Sequence, residues 1–428
     1  SAVVEAAYTE TPLIIITADR PKNFRGTGAP QSIEQANIFG SYVSQSYDYA
    51  AGETLNIEWS YEKPIHLNIC FDEPLIDEEK LDIKKYSQQK FNKPEKEKLQ
   101  SLDFKNPLIV LGGMNSEESK NIEKCLQGWP GPIFAESLSG LKNAKSLTAS
   151  LLKSTDKIIS RLLIEKRIDS VIRIGDVPVG RFWRDLDRLN VPTLSISSKN
   201  FKGTTSSELV YTDLEIVDPK VMNWKVNDWS QLKEEDSHYF QKTQSLLTDL
   251  PESEAAYYKK IEKASQNSQM IFVGNSLPIR LWDMVDEGLS PVYASRGVNG
   301  IDGQVSSAMG LVQPHSKNWI VLGDLTTLYD FSGFWMTQYL EKISAEVNFV
   351  VVNNFGGQIF SRLFESPMFL NSHNVSFEAL AKMWGWEYRK NPDNLNSEWN
   401  SKLRFIEIQP NKEQTDIFWE RYDQIWKK

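Results

Sequence analysis

Seven short apolar runs in this chain are continuous rather than alternating, and each is bounded by turn residues. They are Pro12 to Thr17, Pro64 to Cys70, Pro107 to Leu111, Ser170 to Ile174, Met270 to Val273, Asn318 to Leu322 and Val347 to Val352. A strand with one wet face alternates apolar and polar residues, whereas a continuous apolar run is a strand buried on both faces, as in a parallel sheet covered by helices. Helical patterns such as Ala144 to Lys166 and Ser253 to Ser265 separate the runs. The alternation predicts repeated βαβ units, an α/β fold of successive open parallel-sheet domains.

With 428 residues, 40% of them hydrophobic, the chain can bury two or three cores. Charged stretches poor in strand formers, from Asp72 to Leu99 and from Asn227 to Asp236, mark the boundaries. They divide the chain into residues 1–94, 95–252 and 253–428. The first unit is expected to be incomplete, because SAVVEAAYTETPLIIITADRP has no initiating Met and enters a helix-then-strand pattern at once. A net charge of −9 argues against nucleic acid as a partner. No apolar run approaches the roughly 20 residues of a membrane helix, so no membrane insertion is expected. Two distant cysteines, Cys70 and Cys125, offer neither a disulfide framework nor a metal cluster, which fits a reducing, cytoplasmic setting.

In NWIVLGDLTTLYDFSG the pair Gly323-Asp324 directly follows an apolar strand, and in NFVVVNNFGGQIF Asn353-Asn354 directly follows another, with Asn354 30 residues beyond Asp324. Ligands of open α/β sheets sit at the carboxyl ends of strands, where Asp324 and Asn354 could converge. A carboxylate, an amide oxygen and a backbone carbonyl, here that of Gly356, suit Mg²⁺. Each half alone is also explained by a helix cap or a turn.

Together the halves resemble the paired signature of thiamin-diphosphate enzymes, with Leu325 where many members carry Gly. Longer strings narrow the resemblance. GNSLPIRLWD (274–283), YASRGVNGIDGQVSSAMG (293–310), TADRPKNFRGTGAPQSIEQANIFG (17–40), GPIFAESLSGL (131–141) and VIRIGDVPVGR (171–181) resemble the 2-succinyl-5-enolpyruvyl-6-hydroxy-3-cyclohexene-1-carboxylate synthase family.

That resemblance implies thiamin diphosphate with Mg²⁺ or Mn²⁺, decarboxylation of 2-oxoglutarate, addition of the succinyl unit to isochorismate in menaquinone biosynthesis, and a homodimer or homotetramer. It implies metal ligation by Asp324, Asn354 and Gly356. Cofactor contacts fall to Gly300, Ile301, Gly323, Leu325, Thr326, Gly357, Ile359, Phe360 and Leu363, with Ile301 propping the two thiamin rings. Substrate contacts fall to Gln31, Arg181, Ser276, Arg280 and Arg296. Both substrates are dianions, and the arginine fork suits carboxylates. Arg181 stands where the family commonly has Lys, and Phe182 where some members have a second basic residue. Ser276 could equally be a helix cap. None of His66, His238, His315 and His373 falls in a matched motif, so structural or surface roles are expected for all four.

The family's catalytic glutamate, which hydrogen-bonds the aminopyrimidine, lies upstream of the segment at which this chain begins. Glu5, Glu10 and Glu34 fall in other motifs. The chain alone is accordingly expected to bind cofactor weakly and not to turn over. Two other readings stay open: a relative of acetolactate synthase, or a noncatalytic fragment that keeps the fold. Nicotinamide binding is weak, because no GxGxxG follows a strand.

Overall fold

A computed structural model describes residues 1–73, 106–217, 228–362, 364 and 366–427. Leu363 and nearly all of the charged stretch from Asp72 to Leu99 lie outside the described residues. Among the described residues all strand pairing is parallel. The strands are β1 (Ile14–Asp19), β2 (Gln45–Tyr49), β3 (Ile65–Cys70), β4 (Pro107–Leu111), β5 (Ile133–Ala135), β6 (Ser170–Ile174), β7 (Thr193–Ser197), β8 (Glu208–Tyr211), β9 (Met270–Val273), β10 (Val292–Tyr293), β11 (Lys317–Gly323), β12 (Glu346–Val352), β13 (Glu387–Lys390) and β14 (Leu403–Ile408). Each of the seven apolar runs is a strand. The chain divides into two compact units, residues 1–95 with 296–300, and the remainder.

The first unit holds a sheet of order β1-β3-β2. Its central strand β3 is almost wholly buried, yet carries His66 and Asn68. Both are satisfied by neighbouring strands, as burial of polar groups requires. His66 meets Thr17 Oγ1 at 2.7 Å and Ser46 Oγ at 3.0 Å, and burial pushes its pKa down, so this histidine is structural as expected. At the strand ends Asp19, Asp48 and Cys70 converge. Arg25 supplies the cation among them, gripping Asp48 through two nitrogens (2.7 and 2.8 Å) and Asp19 at 2.8 Å.

The second unit holds two sheets, of order β5-β4-β6-β7-β8 and β10-β9-β11-β12-β14-β13. The first of these reverses its strand order between β4 and β6, a place where open sheets often take a ligand. Here backbone fills it. Asp176 N donates to Gly113 O at 2.9 Å, and a Cβ on Gly112 would collide with the Asp176 carbonyl. The larger sheet reverses between β9 and β11, and the residues after β9, β11 and β12 stand side by side, since Val273 pairs with Val321 and Gly323 with Val352.

Two helix expectations meet different fates. Ser253 to Ser265 forms the helix Glu254–Ser265, its N-terminus capped by Ser253 Oγ, which accepts from Ala256 N. Ala144 to Lys166 is helical only over Lys157–Ile164. Upstream, Leu151 bridges to Ile133, and the buried carboxylate of Asp236 accepts from Lys153 N (2.8 Å) and Ser154 N (2.9 Å), which holds those amides out of a helix. Asp236 belongs to the acidic stretch read as a boundary, but sits on the helix Ser230–Asp249.

Candidate active site

Asp324 is the first residue of the helix that follows β11, 3% exposed despite its charge. The site stabilises a carboxylate there with amide donors: Leu325 N at 2.6 Å on Oδ1 and Gly356 N at 2.9 Å on Oδ2. Burial nevertheless pushes its pKa up, because amide bonds replace only part of the lost water. Gly356 reaches it from the turn after β12, at φ +136, where a Cβ would collide with Leu370 O. Glycine is required there on both counts.

Asn354 begins the same turn. Its Nδ2 donates to Glu254 Oε1 at 3.0 Å, while its Oδ1 is buried without a hydrogen-bond partner among the described residues. A buried amide oxygen left open costs free energy unless something outside the chain satisfies it. With the buried Asp324 carboxylate it supplies oxygen donors of the kind that a hard divalent cation takes. The residues present therefore fit the metal that the sequence reading assigned to Asp324, Asn354 and Gly356.

Beside this cluster opens a cavity of about 860 Å³. Arg181, Arg280, Asn354 and Ile359, all singled out from sequence, line it, joined by Glu254, His373 and Asp156. Burial lowers the Arg280 pKa, the nearby Arg181 charge lowers it further, and Asp156 raises it. Arg181 is aimed by its loop: buried Glu136, from the FAES string, accepts from Val179 N at 2.7 Å and Gly180 N at 3.2 Å. Gly180 has no room for a Cβ, which would meet the Phe182 ring and Asp156 Oδ2. Phe182 itself is packed in the core, and the next basic group after Arg181 that lines the cavity is Arg184.

Ser276 stands at the start of the helix Leu277–Val285 at φ +74, and its side chain makes no capping bond, so the cap reading fails. Gly323, Leu325 and Thr326 surround Asp324 at the β11 end, with Thr326 buried. Gly357 and Phe360 lie in the turn beyond Asn354, Phe360 being exposed. Ile301 is half-buried just before the helix Gln304–Leu311. Gln31, Arg296 and Gly300 belong to the other unit. Gln31 is exposed in a turn at φ +60. Within that unit Glu5 accepts from Gly297 N (2.7 Å) and Val298 N (3.0 Å), fixing the stretch that follows Arg296.

Two residues escaped the sequence reading. His373, expected to be structural or superficial, lines the cavity with Nε2 3.2 Å from Asp324 Oδ2. Glu254 is 3% exposed, and burial, opposed by the Asn354 bond and reinforced by the Asp324 charge, raises its pKa to about 7. The only sequence sign of Glu254 was its place after a capping serine.

No protein-family model matches the chain. It is 36% identical over 447 residues to the 2-succinyl-5-enolpyruvyl-6-hydroxy-3-cyclohexene-1-carboxylate synthase of Bdellovibrio bacteriovorus, an alignment covering 100% of this chain and 84% of that protein. The synthase of the same name from Akkermansia muciniphila is 31% identical over 445 residues, covering 97% of this chain and 82% of the relative. That of Bacillus pumilus is 27% identical, covering 91% and 76%. Strand-end geometry, the oxygen donor set and these likenesses agree: the chain belongs to the 2-succinyl-5-enolpyruvyl-6-hydroxy-3-cyclohexene-1-carboxylate synthase family, thiamin-dependent enzymes that form a carbon–carbon bond.

Proposed function

We propose that this chain serves the thiamin-diphosphate-dependent decarboxylation of 2-oxoglutarate and addition of the succinyl unit to isochorismate, in menaquinone biosynthesis. The observation that carries the reading is the unpartnered Asn354 Oδ1 beside buried Asp324, at the mouth of a cavity that also holds Arg181 and Arg280. In this reading Asp324, Asn354 and the Gly356 carbonyl hold Mg²⁺ or Mn²⁺, which anchors a diphosphate. Gly323 and Gly357 let the backbone approach that diphosphate, with Leu325 and Thr326 at the strand end. Thiamin diphosphate, when bound, supplies the electron sink that a 2-oxo acid needs to lose CO₂.

The chain's own side chains bind and orient. Arg280 and Arg181 present fork donors to substrate carboxylates. Ser276, Gln31 and Arg296 are assigned substrate contacts. Gly300, Ile301, Ile359, Phe360 and Leu363 are assigned the apolar and backbone support of the cofactor and the isochorismate ring.

The same reading takes residues 1–94, 95–252 and 253–428 as domains and a homodimer or homotetramer as the working form. Tyr329, Phe331, Trp335 and Tyr339 stand exposed along one short stretch, an apolar surface suited to association. Both cysteines are free, in keeping with a cytoplasmic setting. Among the described residues no helix is long and apolar enough to cross a membrane.

Calorimetric titration with thiamin diphosphate and Mg²⁺ tests the reading directly, since binding does not depend on turnover. The chain should bind the pair and Asp324→Ala should abolish binding. Of the 2-oxo acids, 2-oxoglutarate should protect the complex from heat and pyruvate should not. Protection by pyruvate alone would favour an acetolactate-synthase-like activity, and absence of cofactor binding would overturn the reading.

A further inference from the structure

An asparagine serves a cation only through its oxygen, since the other end of the amide carries two donor hydrogens that repel it. At Asn354 the choice between the two ends is made by Glu254. The Glu254 carboxylate accepts from Asn354 Nδ2 at 3.0 Å, and because oxygen and nitrogen leave the amide carbon on opposite sides, Oδ1 is turned away from the glutamate. That oxygen is the buried atom left without a partner among the described residues. The flipped amide would place oxygen against the carboxylate and leave its donors beside Asp324.

Glu254 is itself held in place. It occupies the first position of a helix of 12 residues, where the amide ends favour a negative group. Ser253 caps the helix through Ala256 N, and Glu254 N donates to Thr415 Oγ1 at 3.0 Å. Its side chain is buried, lines the cavity and makes no ion pair among the described residues. Removing a carboxylate from water without a cation is costly, and orienting Asn354 is the role the geometry gives it.

We propose that Glu254 is a positioning residue for the divalent cation: it fixes Asn354 so that the amide oxygen, and not the nitrogen, faces the metal. This deepens the thiamin-diphosphate reading and rests on it. Outer partners of this kind affect metal affinity through geometry, with losses of about 10- to 100-fold on removal. Glutamine at 254 retains an oxygen that can accept the same bond, whereas alanine does not.

Mn²⁺ binding to the full chain in excess thiamin diphosphate, followed by the electron paramagnetic resonance signal of free Mn²⁺, separates the possibilities. The unsubstituted chain should bind Mn²⁺ and Asp324→Ala should not. Glu254→Ala should weaken binding about 10- to 100-fold, and Glu254→Gln should recover most of the loss. If Glu254→Gln binds as poorly as Glu254→Ala, charge and not orientation is what matters, and the proposal falls. If Glu254→Ala binds as tightly as the unsubstituted chain while Asp324→Ala binds nothing, the proposal falls and the metal site stands. Should Glu254→Ala not fold, the glutamine variant alone decides. Equal binding by the unsubstituted chain and Asp324→Ala overturns the metal site, and this inference with it.

Discussion

Gly356 shows how much a single position can carry. Its backbone N holds Asp324, its φ of +136 is open in practice to glycine, and the Leu370 carbonyl fills the space of a Cβ. Gly356→Ala should cost about 1–3 kcal/mol of stability in urea denaturation, the range for a residue forced into such backbone. It should also weaken Mn²⁺ binding, because the carbonyl and the Asp324 donor move together. Position by position, legibility followed local chemistry. Asp324 and Asn354 were readable because strand-end Asp and Asn-Asn-x-Gly-Gly strings carry their context within a few residues. Glu254 and His373 were not, since each contacts a residue that is distant in sequence: Asn354 is 100 residues from Glu254, and Asp324 is 49 residues from His373.

At the scale of elements, buried carboxylates fix the loops beside the cavity. Glu136 grips two successive amides ahead of Arg181. Glu136→Ala would leave Val179 N and Gly180 N buried without that acceptor, a loss of about 1–3 kcal/mol. Thermal unfolding should report that loss, and binding of 2-oxoglutarate to the cofactor complex should weaken more than cofactor binding does. A variant equal to the parent in both would show the grip to be idle. The strands buried on both faces were legible as apolar runs. β2 and β13, with half-buried patterns and sequences QSYDY and EYRK, look like surface chain, and only sheet pairing makes them strands. The helix expected across Ala144 to Lys166 failed because a carboxylate distant in sequence, Asp236, claims amides that helical periodicity alone assigned to a turn of helix.

For the molecule as a whole, the two units should respond differently to acid. In the first, bonds from Arg25 hold the Asp48 carboxyl well below its usual range against the opposing effect of burial. A depressed pKa in the folded state means stability fully present above the ordinary carboxylate value of about 3.9 and lost as pH falls below it. The first unit should therefore lose urea resistance between pH 7 and about pH 2.5, nearly all of it below about pH 4. Arg25→Ala should lower its stability at pH 7 and flatten that dependence, which Tyr and Trp fluorescence during urea titration at the two pH values would show. Parallel α/β layering could be anticipated from sequence at this scale because continuous apolar runs admit few other folds. The membership of residues 296–300 in the first unit could not, since no composition shift announces it. The backbone seam between Gly113 and Asp176 also bears on how such a chain can change over evolutionary time. A sheet welded shut at its reversal point has no vacant slot to recruit for a nucleotide, so single substitutions there cannot create a new regulatory ligand. Variation in this middle layer is channelled instead into the turn and helix start at Gly180 to Asp185, where Arg181, Arg184 and Asp185 already line the cavity.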